Sequence, residues 1–311
     1  MSRILITGIT GQDGSYLAEL LVARGDEVHG TSLGADESSI AGVTLHPLDL
    51  ARPGIGDLIR SLRPETVFNL AAISSVYGSW VEPMVTANIN GVAVAEMLAT
   101  LRELDDGTRL VQASSAEIFG VPSEVPQTEA TAIRPTSPYG AAKAYAHGLV
   151  SAYRTAGVWA SSCILYNHES PRRPETFVTR KITAAAARIS AGLQDRLELG
   201  NLSARRDWGW APDYVDALDR ASRASEPGDF IIATGVDHSV EDFVAAAFAR
   251  VGIADWRPYV TVSDDLLRTG DAPQQVGDAA RAHSVLGWAP TASFAGIVEA
   301  MVDADVAALS A

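Results

Sequence analysis

Residues 3–14 read Arg3-Ile4-Leu5-Ile6-Thr7-Gly8-Ile9-Thr10-Gly11-Gln12-Asp13-Gly14, and they carry the strongest indication of the fold. Its apolar first half predicts a buried strand, and its second half predicts a glycine-rich turn. The apolar periodicity of residues 16–23 predicts a helix that ends at Gly25. A strand, turn and helix in this order can hold the phosphates of a dinucleotide, because the helix amino terminus faces them.

The three glycines of the turn have separate expected roles. Gly8 permits the tight turn, Gly11 lets the backbone approach a pyrophosphate, and Gly14 lets the helix pack closely on the strand. A glycine triplet also occurs in ordinary strand-to-helix turns, but the order of elements here favours nucleotide binding. We therefore expect Gln12 and Asp13 to contact the dinucleotide together with these glycines.

Strand-like and helix-like stretches alternate through the first half of the chain. Further strands are expected at residues 27–31, 43–48, 66–70, 110–113 and 160–165. Such alternation predicts an α/β fold with a doubly wound parallel (Rossmann) sheet. Because open parallel sheets bind ligands at their carboxyl edge, residues 8–14, 69–72 and 114–117 should meet in one crevice.

The pattern changes after Tyr166. Residues 167–174 are polar and punctuated by proline, which predicts a loop. Helices are expected near residues 181–192 and 239–251, with a short buried strand at 230–235 between them.

The length and composition are those of a globular protein with a large core. The chain has 311 residues, of which 47% are hydrophobic, which suits one nucleotide-binding domain and a smaller lobe. We expect residues 1–165 to form the dinucleotide-binding domain, with a return near residues 208–235. Residues 166–207 and 236–311 would form a smaller, mainly C-terminal α/β lobe that binds the substrate.

Charge and cysteine content exclude several classes of partner. The formal net charge of -14 disfavours binding to nucleic acid or to anionic membranes. Cys163 is the only cysteine, so no intramolecular disulfide can form and a reducing compartment is expected. No apolar stretch is expected to approach the ~20 residues of a membrane span, and the amino terminus enters a strand at once. These features predict a cytoplasmic protein.

Four side chains supply a redox centre and a further base: Ser115, Glu117, Tyr139 and Lys143. A helix would place Tyr139 and Lys143 one turn apart on the same face, where the ammonium would stabilise phenolate and lower the pKa of the tyrosine. Such a phenolate can deprotonate an alcohol during hydride transfer. A plain dehydrogenase does not need the extra carboxylate of Glu117.

Longer motifs span the chain nearly from end to end: residues 8–19, Asn167-His168-Glu169-Ser170-Pro171-Arg172-Arg173, residues 175–182 and Arg206-Asp207-Trp208-Gly209. They resemble the signatures of the extended short-chain dehydrogenase/reductase family and, within it, of the GDP-mannose 4,6-dehydratases. The resemblance implies an enzyme that converts a GDP-hexose to its 4-keto-6-deoxy form.

The resemblance also implies roles for the four side chains. Tyr139 would take the O4 proton as hydride leaves C4 for the nicotinamide, while Lys143 holds the nicotinamide ribose. Glu117 would remove the C5 proton and protonate the departing C6 hydroxyl, and the hydride would return to C6. Ser115, which replaces the threonine usual in the family, would hydrogen-bond to the O4 region.

The remaining site residues are expected by carrying over the family's sites. The dinucleotide contacts, besides the turn, Tyr139 and Lys143, are Ser32, Asp49, Leu50, Leu70, Ala71 and Ala72. The substrate contacts are Ser74, Ser115, Glu117, Asn167, Thr179, Lys181, Arg206 and Arg268, with residues 179–181 forming a loop near the nucleotide. Asn167 and the two arginines would lie near the diphosphate, because a planar guanidinium offers paired donors to phosphate. No metal is expected.

The chain departs from the family pattern after the second predicted strand. Residues 30–37 contain no arginine to hold a 2′-phosphate, and Asp36 and Glu37 come too late to bind the ribose hydroxyls of NAD. The resemblance favours NADP, with NAD as the alternative. The short loop weakens the case for a tetramer and leaves a homodimer through residues 88–101 and the Tyr139 helix.

Other functions stay open on the same residues. A 4-keto-6-deoxymannose reductase, or a dehydratase or epimerase for another nucleotide sugar, would also use Tyr139 and Lys143. Residues 73–76 lack a histidine often found in the dehydratases, which favours the reductase, whereas Glu117 favours the dehydratase. A non-catalytic dinucleotide sensor is a third interpretation, but such proteins commonly lose the tyrosine and the lysine.

Overall fold

The glycine-rich turn joins the first strand to the first helix, as the sequence predicts. In the computed structural model, which describes residues 1–34, 41–266 and 270–310, the strand is β1 (Arg3–Thr7) and the helix is α1 (Gln12–Arg24). Gly8 has a φ of 66°, and a Cβ atom on it would lie 2.7 Å from the Cα of Ala71. A Cβ on Gly14 would lie 2.3 Å from the carbonyl oxygen of Gly8. These two positions therefore accept no side chain without a backbone shift.

Strands and helices alternate along the described residues. The strands after β1 are β2 (Glu27–Ser32), β3 (Val43–Pro47), β4 (Thr66–Asn69), β5 (Arg109–Ser115), β6 (Ala160–Leu165), β7 (Asn167–Glu169), β8 (Leu197–Leu199), β9 (Arg205–Trp210), β10 (Asp229–Ile232), β11 (Asp237–Ser239), β12 (Val260–Val262) and β13 (Gln274–Gln275). The helices after α1 are α2 (Ile55–Leu62), α3 (Val76–Val81), α4 (Pro83–Ala87), α5 (Ala93–Leu104), α6 (Pro138–Thr155), α7 (Val178–Ser190), α8 (Ala211–Ser222), α9 (Val240–Arg250), α10 (Ala280–Leu286) and α11 (Phe294–Ala308). A π-helical turn, Asn88–Val92, joins α4 to α5.

The main sheet is parallel and has the order β10-β6-β5-β4-β1-β2-β3. The predicted α/β fold with a doubly wound sheet is confirmed, and so are the five strands expected after the first. Because β1, β4 and β5 are neighbours, the segments that follow them leave the same edge of the sheet. The predicted meeting of the glycine turn, residues 69–72 and residues 114–117 is therefore correct.

Separate hydrophobic cores lie on the two faces of the main sheet and in the C-terminal half. On one face, Leu17 and Leu21 of α1 pack near Leu218 of α8. On the other face, α2, α5 and α6 cover the sheet. A further core holds α7, α9 and α11 around Trp208 and Phe243. The small sheet of β7, β9, β11 and β13 stands beside this last core.

Three details of the sequence predictions are wrong. Residues 167–174 are not a continuous loop, because Asn167–Glu169 pairs with β9 as strand β7. Residues 179–181 are not a loop either, since they belong to α7.

The third detail concerns the expected lack of a long apolar stretch. A helix spanning Pro83–Leu104 has 22 residues, a mean hydropathy of 1.3 and half of its most apolar stretch buried, so one described helix reaches the length and composition of a membrane span. Its buried half packs on α2 and α6, as the core helix of a folded domain does.

Candidate active site

The end of β5 and the start of α6 bring three of the predicted residues together. Ser115 ends β5, and its hydroxyl accepts a hydrogen bond of 3.2 Å from the backbone N–H of Glu117. The Ser115 hydroxyl also lies near enough to the phenol of Tyr139 to lower the pKa of that phenol. A Cβ atom on Gly140 would lie 2.6 Å from the carbonyl oxygen of Glu117, so α6 begins in close contact with the turn that carries this carboxylate.

Lys143 lies one turn further along α6 and faces the sheet. Its Nζ donates a 2.8 Å hydrogen bond to the carbonyl of Ala113 in β5. The same nitrogen is 6.0 Å from the centre of the Tyr139 ring. The predicted placement of the phenol and the ammonium on one helix face is therefore correct.

Burial controls the ionisation of this pair. Burial raises the pKa of Tyr139 to about 12, although the hydroxyl of Ser115 lowers it, and the Glu117 carboxylate raises it further. Burial lowers the pKa of Lys143 to about 8, against the attraction of Asp13. The expectation that the pKa of Tyr139 falls is wrong, because the loss of hydration outweighs the favourable contacts.

Asp13 in the first turn of α1 is paired with a histidine that the sequence reasoning did not single out. Nε2 of His168 lies 2.8 Å from Oδ2 of Asp13, and Nδ1 lies 2.7 Å from the carbonyl oxygen of Tyr166. Burial disfavours the charged imidazole, but Asp13 outweighs it and raises the pKa of His168. Gln12 donates to the carbonyl of His168 at 3.1 Å. These bonds fasten the nucleotide-binding turn to β7.

Two further residues belong to the site and were missed. Arg173 lies near enough to Tyr139 to lower the pKa of the phenol, and its guanidinium stacks 3.8 Å from the ring of Phe177. Asn90 is buried and holds both backbone groups of Ile73 at 2.9 and 3.0 Å, which fixes the loop after β4. The signal for Arg173 was its place in the 167–173 motif, whereas nothing in the sequence marked Asn90.

The other expected dinucleotide contacts lie after β2, β3 and β4. The Ser32 hydroxyl donates to the carbonyl of Gly34 at 2.5 Å, and Asp49 accepts from the backbone of Ala51 at 2.9 Å. Leu50 is buried. The backbone N–H groups of Leu70 and Ala71 both donate to Thr7 Oγ1 at 3.1 Å, while Ala72 and Ser74 continue this loop toward α3.

The expected substrate contacts are more dispersed, and several are already engaged. Thr179 donates its hydroxyl to buried Glu169 at 2.6 Å, and Lys181 donates to the carbonyl of Glu198 at 2.6 Å. Arg206 is paired with Asp271 at 2.6 Å. Asn167 opens β7. The predictions for Arg268, Asp36 and Glu37 fall outside the described residues.

The turn fits the phosphates of a dinucleotide. Among the described residues no side chain caps the amino terminus of α1, and Gly11 stands at the cap position. Backbone N–H groups at an uncapped helix terminus bind anions well. In the described ranges no group of three His, Cys, Asp or Glu side chains could hold a metal ion.

The family model and the curated relatives agree on one family, and a solved structure of an epimerase shares the fold. The family model described as GDP-mannose 4,6 dehydratase matches residues 5–301. GDP-mannose 4,6 dehydratase 2 of Arabidopsis thaliana is 41% identical over 97% of this chain and 86% of its own length, and the GDP-mannose 4,6 dehydratase of Homo sapiens is 39% identical over 97% and 91%. The structure of UDP-glucose 4-epimerase from Thermus thermophilus, in complex with NAD, superposes with a TM-score of 0.84 at 28% identity, covering 97% of this chain and 98% of the other.

Proposed function

The chain belongs to the GDP-mannose 4,6-dehydratase family, and we propose that it converts GDP-mannose to GDP-4-keto-6-deoxymannose through Ser115, Glu117, Tyr139 and Lys143. The observation that carries these assignments is the contact between the tyrosine and the turn that bears the carboxylate. The hydroxyl of Ser115 accepts from the backbone of that turn and lowers the pKa of Tyr139, and the charge of Glu117 raises the same pKa. An oxidation base and an elimination base thus share one crevice.

Bound at the glycine turn, a nicotinamide dinucleotide would supply the hydride acceptor for C4 of the sugar and the hydride donor for C6. Gly8, Gly11 and Gly14 would hold its phosphates at the amino terminus of α1, and Lys143 would hold its ribose. The strict geometry of Gly8 and Gly14 supports the first of these roles.

Tyr139 accepts the proton of O4 during the oxidation. Burial opposes the phenolate that this step needs, so the hydroxyl of Ser115 and the charge of Arg173 are its main support within the chain. Serine at position 115, where the family usually has threonine, keeps this hydroxyl.

Glu117 performs the elimination. The ketone at C4 acidifies the C5 proton, Glu117 removes it, and the same proton leaves with the C6 hydroxyl as water. As hydride returns to C6, C5 receives a proton, which balances the one that Tyr139 took from O4. The dinucleotide is therefore neither consumed nor produced overall.

The nucleotide-sugar site is proposed to lie in the C-terminal lobe of residues 166–207 and 236–311. Asn167 at the start of β7 and Arg206 in β9 lie on neighbouring strands, which supports a joint role at the diphosphate. Arg206 would have to exchange its pairing with Asp271 for the phosphate. Thr179 and Lys181, whose polar groups are engaged, act by holding this lobe in shape.

The first test is incubation of the purified enzyme with GDP-mannose. We expect a 4-keto-6-deoxy product without net change in reduced dinucleotide. The alternative, a reductase on the same fold, predicts no product from GDP-mannose and steady oxidation of NADPH on the ketosugar. A sensor would turn over neither substrate.

For the cofactor we propose NADP, with NAD as the alternative. Family membership supports NADP, while residues 30–34 offer no arginine to a 2′-phosphate. Dissociation constants for the two dinucleotides, measured by calorimetry, decide between them. Tighter binding of NAD would overturn the choice of NADP.

A homodimer is proposed through residues 88–101 and α6, as expected from the sequence, and we extend the proposed contact to α3 and α4. Large apolar side chains are exposed on these helices, with Tyr77 75%, Trp80 57%, Met84 73% and Tyr145 51% exposed. Exposed apolar clusters of this kind favour association between subunits. The exposed half of the apolar helix Pro83–Leu104 lies in the same region.

A further inference from the structure

A row of buried hydrogen bonds crosses the main sheet and ends beside Lys143. Thr7 Oγ1 donates to Asn69 Oδ1 at 2.6 Å, Asn69 Nδ2 donates to Gln112 Oε1 at 2.7 Å, and Gln112 Nε2 donates to the carbonyl of Ala113 at 2.8 Å. The three side chains stand side by side because β1, β4 and β5 pair in this register. We call Thr7, Asn69 and Gln112 the polar row.

Both ends of the polar row reach the candidate site. At one end, Thr7 Oγ1 accepts from the backbone N–H groups of Leu70 and Ala71 in the loop after β4. At the other end, the carbonyl of Ala113 accepts from Gln112 and also from Nζ of Lys143, each at 2.8 Å. The hydroxyl of Thr7 and the amides of Asn69 and Gln112 all donate in the direction of this carbonyl, so their dipoles reinforce one another.

The fold does not require polar residues in these positions. Two residues earlier on the same strands, and so on the same face of the sheet, Leu5, Val67 and Leu110 form an equivalent row that is fully buried and apolar. Replacing both partners of a buried hydrogen bond by apolar groups is often nearly neutral for stability. The polar row instead lies toward the carboxyl ends of these strands, beside the candidate site.

Resting on the proposed function, we propose that Gln112 is a positioning residue for the hydride-transfer step. It holds the Ala113 carbonyl that Lys143 uses and, through Asn69 and Thr7, ties that carbonyl to the loop after β4.

The electrostatic effect of Gln112 has a definite sign. The positive end of its amide and the ammonium of Lys143 approach the same oxygen, so the amide weakens the hold of that oxygen on the ammonium. Of the described groups facing Lys143, Asp13 of α1 favours its charged form, and the phenol of Tyr139 stands on its own helix. With the pKa of Lys143 at about 8, a small change in this balance alters its charge near neutral pH.

The test is an NMR titration of the lysine side chains. The chain contains only two lysines, Lys143 and Lys181, so protein labelled with carbon-13 at lysine Cε gives two resolved signals. In Gln112→Met we expect the pKa of Lys143 to rise by about half a unit or more, because the competing amide is gone. Lys181, bonded to Glu198 at the far side of α7, serves as the internal reference. Calorimetry should show that the dinucleotide binds about threefold more weakly, a loss at the low end of what one hydrogen bond contributes.

Two further variants separate positioning from structure. Gln112→Met leaves the amide of Asn69 without its acceptor. The double variant Asn69→Leu/Gln112→Met removes that amide and leaves only the hydroxyl of Thr7, whose hydrogen can rotate, without its acceptor, so it should regain part of the lost stability. The altered Lys143 titration should persist in the double variant. As a control, Ser222→Ala removes a buried hydroxyl of α8 on the other face of the sheet, and it should change neither the titration of Lys143 nor the affinity for the dinucleotide.

An unchanged titration of Lys143 in Gln112→Met would overturn the proposal. It would also be overturned if the double variant recovered both the wild-type titration and stability. The NMR titration and the calorimetry are both made without turnover of a substrate. Failure of the proposed function would instead appear as absence of product from GDP-mannose in the wild-type enzyme.

Discussion

At the scale of single residues, burial sets the chemistry of the site. Tyr139 and Lys143 are both almost fully buried, and burial moves the pKa of each toward its neutral form. A neutral phenol cannot accept the O4 proton. The hydroxyl of Ser115, which lowers the pKa of Tyr139, is therefore the contact on which the oxidation depends most directly.

Removal of this hydroxyl should shift the pH dependence of turnover. In Ser115→Ala the pKa of Tyr139 rises further, so a higher pH is needed to form the phenolate and the acidic limb of the kcat profile moves to higher pH. We expect a loss of about tenfold or more at neutral pH. Ser115→Thr keeps the hydroxyl and should match the wild-type profile. An unshifted profile in the alanine variant would show that Ser115 does not act on Tyr139.

Replacement of the elimination base should trap the oxidised sugar. Glu117→Gln removes the base but also removes a negative charge that raises the pKa of Tyr139, so oxidation at C4 can proceed while elimination stops. Mixing this variant with GDP-mannose should give close to one equivalent of reduced dinucleotide, measured by its near-ultraviolet absorbance. Glu241→Gln, at an exposed position in α9, should behave like the wild type. Normal product formation by Glu117→Gln would rule out its assigned role.

The sequence showed which polar residues face each other within one element, but not what surrounds them. The four-residue spacing of Tyr139 and Lys143 placed them correctly on one helix face. The pKa of each depends on burial by other elements, and the sequence reasoning assumed a more hydrated pair. The partners of Asp13 and Gln112 depend on chain segments far away in sequence, so spacing could not reveal them.

At the scale of elements, the β1–α1 turn is the most constrained part of the site. Its glycines were predictable because their roles are local: a positive φ at Gly8 and close backbone packing at Gly14. The short strand β7 was not predictable, since it exists only through pairing with β9, about 40 residues later in the chain.

A methyl group on Gly14 should disrupt this turn. Its Cβ would meet backbone atoms of Gly8 and Ile9 at 2.3 and 2.6 Å, which cannot move aside as a side chain can. We expect Gly14→Ala to lower the free energy of unfolding by about 2 kcal/mol or more and to weaken dinucleotide binding. Gly296 lies in helix α11, and a Cβ atom on it would lie 3.4 Å from its nearest neighbour, Oγ of Ser293. In Gly296→Ala the free energy of unfolding should therefore rise by about 0.5 kcal/mol. Urea titration measures both, and equal stability of the two variants would contradict this account.

At the scale of the whole molecule, the parallel sheet brings the site together and α3, α4 and α6 offer the apolar surface. The parallel, doubly wound sheet was predictable from the alternating pattern of strands and helices, whereas the order of its strands was not predicted. The exposed apolar residues on α3 were not identified from the sequence, since exposure of an apolar side chain depends on which neighbours cover it.

The proposed dimer can be tested by charge substitution on this surface. Trp80→Glu and Met84→Glu place a carboxylate where an apolar contact is proposed, and both should convert the dimer to a monomer by light scattering at micromolar concentration. Val285→Glu, which alters an equally exposed apolar residue of α10, should leave the dimer intact. A wild-type protein that is monomeric, or variants that remain dimeric, would exclude this interface.

In the proposed reaction one site oxidises C4, eliminates water and returns the same hydride to C6. This transfer can be followed with GDP-mannose carrying deuterium at C4, with the product examined by NMR and mass spectrometry. We expect a 4-keto-6-deoxy product with the deuterium in its C6 methyl group and no net change in reduced dinucleotide. Deuterium recovered in released dinucleotide, or a C6 methyl group without deuterium, would contradict the proposed reaction.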